Sequence, residues 1–179
     1  MNKDKVLILG AASFIGRHLL TYVGAQADID VLGVSRRPVP NVAVRMIQAD
    51  VTVPQELAAL MTQEDPTYII NLSGTANAPT LADSVRVNSE PTRAVCEFLA
   101  AHQTKVRRMV VVGSAAEYGR TLVVPTAEDA PLQPVSPYGV GKVVQTAYAH
   151  YFARTFGLDV CIARPFNVLG VGMPVHHPI

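Results

Sequence analysis

Tyr138 and Lys142 stand four residues apart in Tyr138-Gly139-Val140-Gly141-Lys142, at the start of a stretch with helical patterning. On a helix that spacing brings both side chains to one face. A tyrosine with an ordinary pKa near 10 is a poor base at neutral pH. An ammonium beside it, together with the positive ring of an oxidised nicotinamide, would favour the phenolate and bring it into working range. Upstream, the apolar run Met109-Val110-Val111-Val112 leads into Gly113-Ser114-Ala115-Ala116-Glu117-Tyr118-Gly119. A strand there carries Ser114 to the carboxyl edge of a sheet, where α/β folds bind ligands. Its hydroxyl suits a substrate carbonyl or alcohol. A Tyr four residues before a Lys is common on helices, whereas Ser114, Tyr138 and Lys142 together form a far more specific pattern.

A glycine-rich turn at the start of the chain would bind a dinucleotide cofactor. The run Val6-Leu7-Ile8-Leu9 enters Gly10-Ala11-Ala12-Ser13-Phe14-Ile15-Gly16, after which helical patterning begins. In a dinucleotide-binding turn the first Gly makes the bend, the middle Gly admits the pyrophosphate and the last packs helix on strand. The phosphates then meet N–H groups at the helix start. Gly10 and Gly16 hold the outer positions and Ser13 the middle one, with Phe14 and Ile15 between. The Ser13 hydroxyl either donates to a phosphate or crowds it. Where an NAD site would carry a carboxylate at the end of the second strand, this chain has Ser35-Arg36-Arg37. Two guanidiniums suit a 2′-phosphate, so NADP is expected, with NAD as the alternative.

The elements that must position these groups follow from periodicity. Strands are expected at Val6–Leu9, Asp30–Val34, Ala43–Gln48, Tyr68–Leu72, Arg108–Val112 and Asp159–Ala163. Helices are expected at Ile15–Ala25, Pro54–Met61, Leu81–His102 and Tyr138–Phe156. Alternation of short β-branched runs with helices implies βαβ units and a parallel sheet covered on both faces. Thr52 is a suitable cap ahead of Pro54, as is Ser136 ahead of Pro137, and Gly157 a helix stop. Ala115–Val135 reads as the longest irregular stretch, of a length that is usually functional.

Composition excludes several other roles. The 179 residues are 49% hydrophobic, with Lys plus Arg 15 against Asp plus Glu 14. A single domain with a core fits this, while a nucleic-acid footprint or a disordered chain does not. No apolar run approaches a membrane span. Cys96 and Cys161, in apolar surroundings, suggest neither a disulfide framework nor a zinc site. His176 and His177 lack a third ligand, so no metal is expected. The expected location is the cytoplasm.

With these pieces assembled, the chain resembles an extended short-chain dehydrogenase/reductase of the NAD-dependent epimerase/dehydratase group. The resemblance rests on the glycine turn, Ala49-Asp50-Val51, Asn71-Leu72-Ser73-Gly74, Val87-Asn88, the Ser114 segment, Tyr138 to Lys142, and Arg164-Pro165-Phe166-Asn167. It implies a Rossmann-like, doubly wound parallel sheet of about six strands. Asp50 and Val51 would border the adenine, and Leu72, Ser73 and Gly74 would line the ribose and phosphates. Asn88 would lie on the long helix supporting the site. Phe166 would sit beside the nicotinamide, and Ala115 and Asn167 beside the substrate. Ser114, Tyr138 and Lys142 would be the catalytic triad, exchanging a hydride and a proton at the C4 carbonyl or alcohol of a nucleotide sugar. Ala115 and Ala116 replace the acidic pair that resembling dehydratases use for elimination. The pattern is most similar to 4-keto-6-deoxy-hexose reductases, with 4-epimerases close behind. The resemblance also implies a homodimer through the two long helices. Related proteins carry a substrate domain after the segment matching Arg164–Gly172, so residues 164–179 would be the start of a region largely absent here. The competing reading is a dinucleotide-binding module or sensor without turnover.

Overall fold

A computed structural model describes residues 3–121 and 123–173. The chain alternates strands and helices: β1 (Asp4–Leu9), α1 (Phe14–Gly24), β2 (Ile29–Ser35), β3 (Arg45–Gln48), α2 (Pro54–Glu64), β4 (Tyr68–Asn71), α3 (Leu81–Ala101), β5 (Arg108–Val112), α4 (Pro137–Phe156) and β6 (Val160–Ala163). The strands form one sheet in the order β3-β2-β1-β4-β5-β6, and every pairing is parallel. This is the Rossmann order, whose direction reverses between β1 and β4 and opens a crevice at their carboxyl ends.

Alternate residues of β1 enter opposite layers, as a strand of period two requires. Val6 and Ile8 pack with Leu20 of α1 and Val31. Leu7 and Leu9 face the other way, onto Leu57, Leu60 and Met61 of α2, Val95 and Cys96 of α3, and Ala149 and Phe152 of α4. One helix therefore covers one face and three cover the other. Helices α3 and α4 lie along each other over the larger layer.

The unequal coverage corrects one expectation. Cys161 is exposed rather than set among apolar groups, because β6 is an edge strand and α1 does not reach across the sheet to cover it. A second correction concerns the start of α2. Its cap position is Val53, which makes no side-chain capping bond. Thr52 is taken by Asp50: its N–H and hydroxyl both donate to Asp50 Oδ1, at 3.0 and 2.7 Å. Pro54 at the first helical position lacks an N–H, so the helix begins there with one donor fewer to satisfy. Ser136 does cap α4, accepting from the Gly139 N–H at 3.1 Å. Gly157 ends that helix in the left-handed region at φ 68°. The stretch 115–135 opens with a short 3-10 turn over Ala115–Glu117. His176 and His177 lie outside the described residues. Among the described residues no helix is long and apolar enough to cross a membrane, and no cluster of metal ligands occurs.

Candidate active site

The crevice between β1 and β4 holds a groove of about 430 Å³. Its walls include Gly10 and Ser13 from the first turn, Arg36 and Arg37 after β2, Asp50 and Val51 after β3, and Leu72, Ser73 and Gly74 after β4. Nine of the residues singled out from the sequence thus meet in one cleft. Gly10 adopts φ +76°, and a Cβ there would lie 2.8 Å from the Leu72 carbonyl and the Ser73 nitrogen. A Cβ on Gly16 would lie 2.6 Å from the Ala11 carbonyl oxygen. Both glycines allow the turn to pack close to its neighbours, and a side chain at either would force backbone apart.

Ser13 resolves into a helix cap. Its Oγ accepts from the Gly16 N–H at 3.1 Å, with the backbone of Ser13 extended. Phe14 and Ile15 begin α1, where N–H groups have no intrahelical acceptor and form an anion site with the helix dipole. The Phe14 side chain turns away from the groove and meets His18 edge-on at 5.0 Å. It lines a separate hollow with Arg17, Val171 and Gly172. Arg17 lines both cavities and was not singled out from the sequence.

Arg36 and Arg37 are exposed at the groove mouth. Burial pushes the Asp50 carboxyl up, but the hydrogen bonds from Thr52 and the charges of Arg36 and Arg86 outweigh it and hold the group below its usual value. Asp50 therefore presents a carboxylate to the groove. Asn88 is fully buried and does not line the groove. Its Nδ2 donates to Thr75 O at 3.0 Å and its Oδ1 accepts from the Thr75 N–H at 2.9 Å, clamping the loop that follows Gly74.

Beside the groove, at the end of β5, lie the other singled-out residues. Lys142 Nζ sits 5.9 Å from the centre of the Tyr138 ring. It is 4% exposed and donates to Val112 O at 2.8 Å and to Gln145 Oε1 at 3.0 Å. Burial drives its pKa down to about 8, against a smaller upward pull from the Glu117 carboxylate. Ser114 Oγ accepts from the Ala116 N–H at 3.1 Å, which leaves the hydroxyl proton free to be donated.

Tyr138 lies half-buried beside Lys142. Burial pushes its phenol above the usual range; the Ser114 hydroxyl pulls it down, and the Glu117 charge raises it further. In the chain by itself burial decides the direction. Lys142 turns its ammonium toward Val112 and Gln145, and the ring of an oxidised nicotinamide is the part of the expected environment that the chain does not supply.

Glu117 escaped the sequence reading. It is completely buried, accepts from the Ser114 N–H and the Thr146 hydroxyl at 2.8 Å each, and pairs with Arg164 Nε at 2.8 Å. The signal was present: a Ser followed three residues later by Glu after a strand is a capping box, and that is the motif found. Ala115 donates its N–H to Pro165 O at 3.0 Å, tying the Ser114 segment to the exit of β6. Phe166 is 57% exposed and stacks on Tyr118 with ring centres 6.2 Å apart. Asn167 is exposed next to it.

Comparison with known proteins gives a consistent picture. The sequence profile described as NAD dependent epimerase/dehydratase family matches residues 6–178. The chain is 29% identical over 174 residues to a UDP-glucose 4-epimerase of Azospirillum brasilense, covering 93% of this chain and 49% of that protein. It is 29% identical over 176 residues to a dTDP-6-deoxy-L-talose 4-dehydrogenase (NAD(P)(+)) of Kitasatospora kifunensis, covering 96% of this chain and 55% of the relative. The solved structure of MoeE5 in complex with UDP-glucose and NAD superposes with a TM-score of 0.75 at 28% identity, over 90% of this chain and 53% of the other. The chain spans about half the length of the curated relatives it matches.

Proposed function

The chain belongs to the NAD dependent epimerase/dehydratase family, the extended short-chain dehydrogenases/reductases, and from that premise we propose that it serves an oxidoreductase or epimerase acting at C4 of a nucleotide sugar. The observation that carries this reading is the adjacency of two features at one sheet edge. They are the groove at the ends of β1, β2 and β4, and the Ser114, Tyr138 and Lys142 cluster at the end of β5 and the start of α4.

The groove fits a nicotinamide dinucleotide in shape and charge. The tight Gly10 turn leads to a helix N-terminus, and guanidiniums stand at the mouth. Gly10, Ser13, Gly16 and the N–H groups of Phe14 and Ile15 would hold the pyrophosphate. Asp50 and Val51 would border the adenine, and Leu72 to Gly74 the ribose. Arg36 and Arg37, with no carboxylate following β2, favour NADP over NAD. A bound dinucleotide would supply hydride exchange with the sugar carbon.

The protein's own residues supply orientation and proton handling. Ser114 accepts from the Ala116 N–H and has its hydroxyl proton to offer the substrate oxygen. Tyr138 exchanges the proton with that same oxygen; burial keeps its phenol protonated in the chain by itself, so it would enter as the donor when a carbonyl is reduced. Two of the three Lys142 donors are engaged, which leaves one for the nicotinamide ribose. Phe166, exposed and aromatic, would border the nicotinamide, and Ala115 and Asn167 the substrate. The two long helices α3 and α4 would form the homodimer contact.

Tyr138→Phe tests the reading in the intact protein. We expect dinucleotide affinity, read by NADPH fluorescence, to stay within about twofold, and turnover of 4-keto nucleotide sugars to fall by roughly 10²-fold or more. Unchanged turnover would remove Tyr138 from the chemistry. Dinucleotide binding without turnover of any nucleotide sugar by the unmodified protein would favour a binding module instead.

A further inference from the structure

Lys142 does not stand alone behind the active site. Its partner Gln145 is completely buried and donates through Nε2 to Thr92 Oγ1 at 3.1 Å. Thr92 Oγ1 also accepts from Asn71 Nδ2 at 2.9 Å. Asn71 Oδ1 in turn accepts from the Ser73 N–H at 3.0 Å and from the Ser73 hydroxyl. Gln145, Thr92 and Asn71 are each 0% exposed. The line runs from α4 through α3 to the end of β4 and finishes on the groove floor.

The two ends dictate the sense of every bond. An ammonium and a backbone N–H can only donate, so Gln145 must turn its oxygen to Lys142 and Asn71 must turn its oxygen to Ser73. Both amide nitrogens then point inward, and both meet the lone pairs of the Thr92 hydroxyl. No other orientation of the two amides satisfies both ends, and a buried polar chain of this kind is rigid when complete and costly when broken. We propose that Gln145 is the positioning residue of Lys142, and that the chain through Thr92 and Asn71 locks this position to the Ser73-Gly74 segment of the groove.

The inference rests on the reading that Lys142 serves the bound dinucleotide, but its test does not require turnover. The charged groups around Lys142 are few. Glu117 faces it from the 3-10 turn, and Tyr138 lies beside it on α4. Val112 O on β5, which accepts from Lys142, and Thr92 of α3, which accepts from Gln145, are neutral groups. Gln145 Oε1 stabilises the ammonium, so its removal lowers the Lys142 pKa, and a carboxylate in its place raises it.

The chain contains four lysines, Lys3, Lys5, Lys105 and Lys142, so ¹³C-lysine NMR can follow Lys142 directly, with Lys142→Met assigning its signal. In the ligand-free full chain we expect Gln145→Met to lower the Lys142 midpoint by about half a unit to one unit, and Gln145→Glu to raise it by at least as much. Opposite shifts distinguish positioning from a general loosening of the core, which would move both variants the same way. If Gln145→Met does not fold, the isosteric Gln145→Glu carries the test. Thr92→Val removes the junction; we expect it to lower the Lys142 midpoint and to speed hydrogen exchange at the Ser73 N–H several-fold. Unmoved midpoints in folded Gln145 variants would overturn the assignment. Shifts confined to the Gln145 variants, with Thr92→Val silent at both ends, would overturn the link to Ser73. Titration as expected in a protein that turns over no nucleotide sugar would leave this inference standing and remove the functional reading.

Discussion

Glu117 and Arg36 mark two opposite ways of using charge. Glu117 is buried with a full set of partners, and its carboxylate raises both the Tyr138 phenol and the Lys142 ammonium. Arg164, 15% exposed at its side chain, supplies the counter-charge that makes such burial tolerable. Arg36 instead stands exposed at the groove mouth, where its charge is available to a ligand. If Arg36 reads a 2′-phosphate as proposed, Arg36→Ser should weaken NADPH binding by about 1.5–3 kcal/mol, the worth of hydrogen bonds to a charged group. NADH binding should be nearly unchanged. Fluorescence titration with both dinucleotides measures this, and equal losses for the two would refute a role in 2′-phosphate selection.

The elements meet the site through their ends. Ser13, Thr80 and Ser136 cap α1, α3 and α4, and Ser114 caps the 3-10 turn, so these four starts are closed by a hydroxyl, whereas α2, with Val53 at its cap position, lacks one. The turn into α1 is a tight one. Gly10 and Gly157 share nearly the same backbone conformation, φ +76° and φ +68°. Only Gly10 has atoms close enough to clash with an added Cβ; Gly157 has none within 4 Å. Gly157→Ala should therefore cost only the left-handed strain, about 1–2 kcal/mol. Gly10→Ala should cost more, because the Leu72 and Ser73 backbone must move, and it should also weaken dinucleotide binding. Paired chemical denaturation of the two variants checks this, and equal losses would mean that the turn can relax without cost.

Across the whole molecule, the end of the sheet far from the site is held by one buried acid. Glu64, at the end of α2, is 4% exposed. It accepts from Arg45 of β3 at 3.0 and 2.8 Å and from Lys5 of β1 at 3.3 Å. Burial raises its pKa, but the bonds from Arg45 and Lys5 prevail and hold it below the usual value of 4.5. A depressed carboxyl pKa contributes stability above the unfolded value, and that contribution is lost as pH falls through the folded one. Glu64→Gln should thus cost about 1–2 kcal/mol at pH 7, shrinking toward zero as the pH drops below about 4. Urea denaturation at pH 7 and pH 3 reads the gap. A gap independent of pH would remove Glu64 from the acid response.

Much of this architecture was legible in the residues themselves. Each of the six strands and four helices could be placed from periodicity, because short apolar parallel strands and helical spacing leave strong local patterns. Tyr138 and Lys142 could be named from their spacing on one helix, and Ser114, the Gly10 turn and Arg36 because each follows a strand at the carboxyl edge of the sheet. Other facts depend on contacts between distant parts of the chain. Cys161 became exposed because α1 stops short of β6, and Thr52 was drawn from its expected cap to Asp50. Gln145, Thr92 and Asn71 meet only when α4, α3 and β4 pack, and no local pattern announces that three neutral polar residues will form one chain. The direction of the Tyr138 shift likewise depends on burial, which no spacing reveals. The sequence by itself determined the elements and the candidate reactive groups, since both are local in origin. The tertiary structure alone decided which polar groups were sealed from water and paired, since desolvation is a property of the assembled fold.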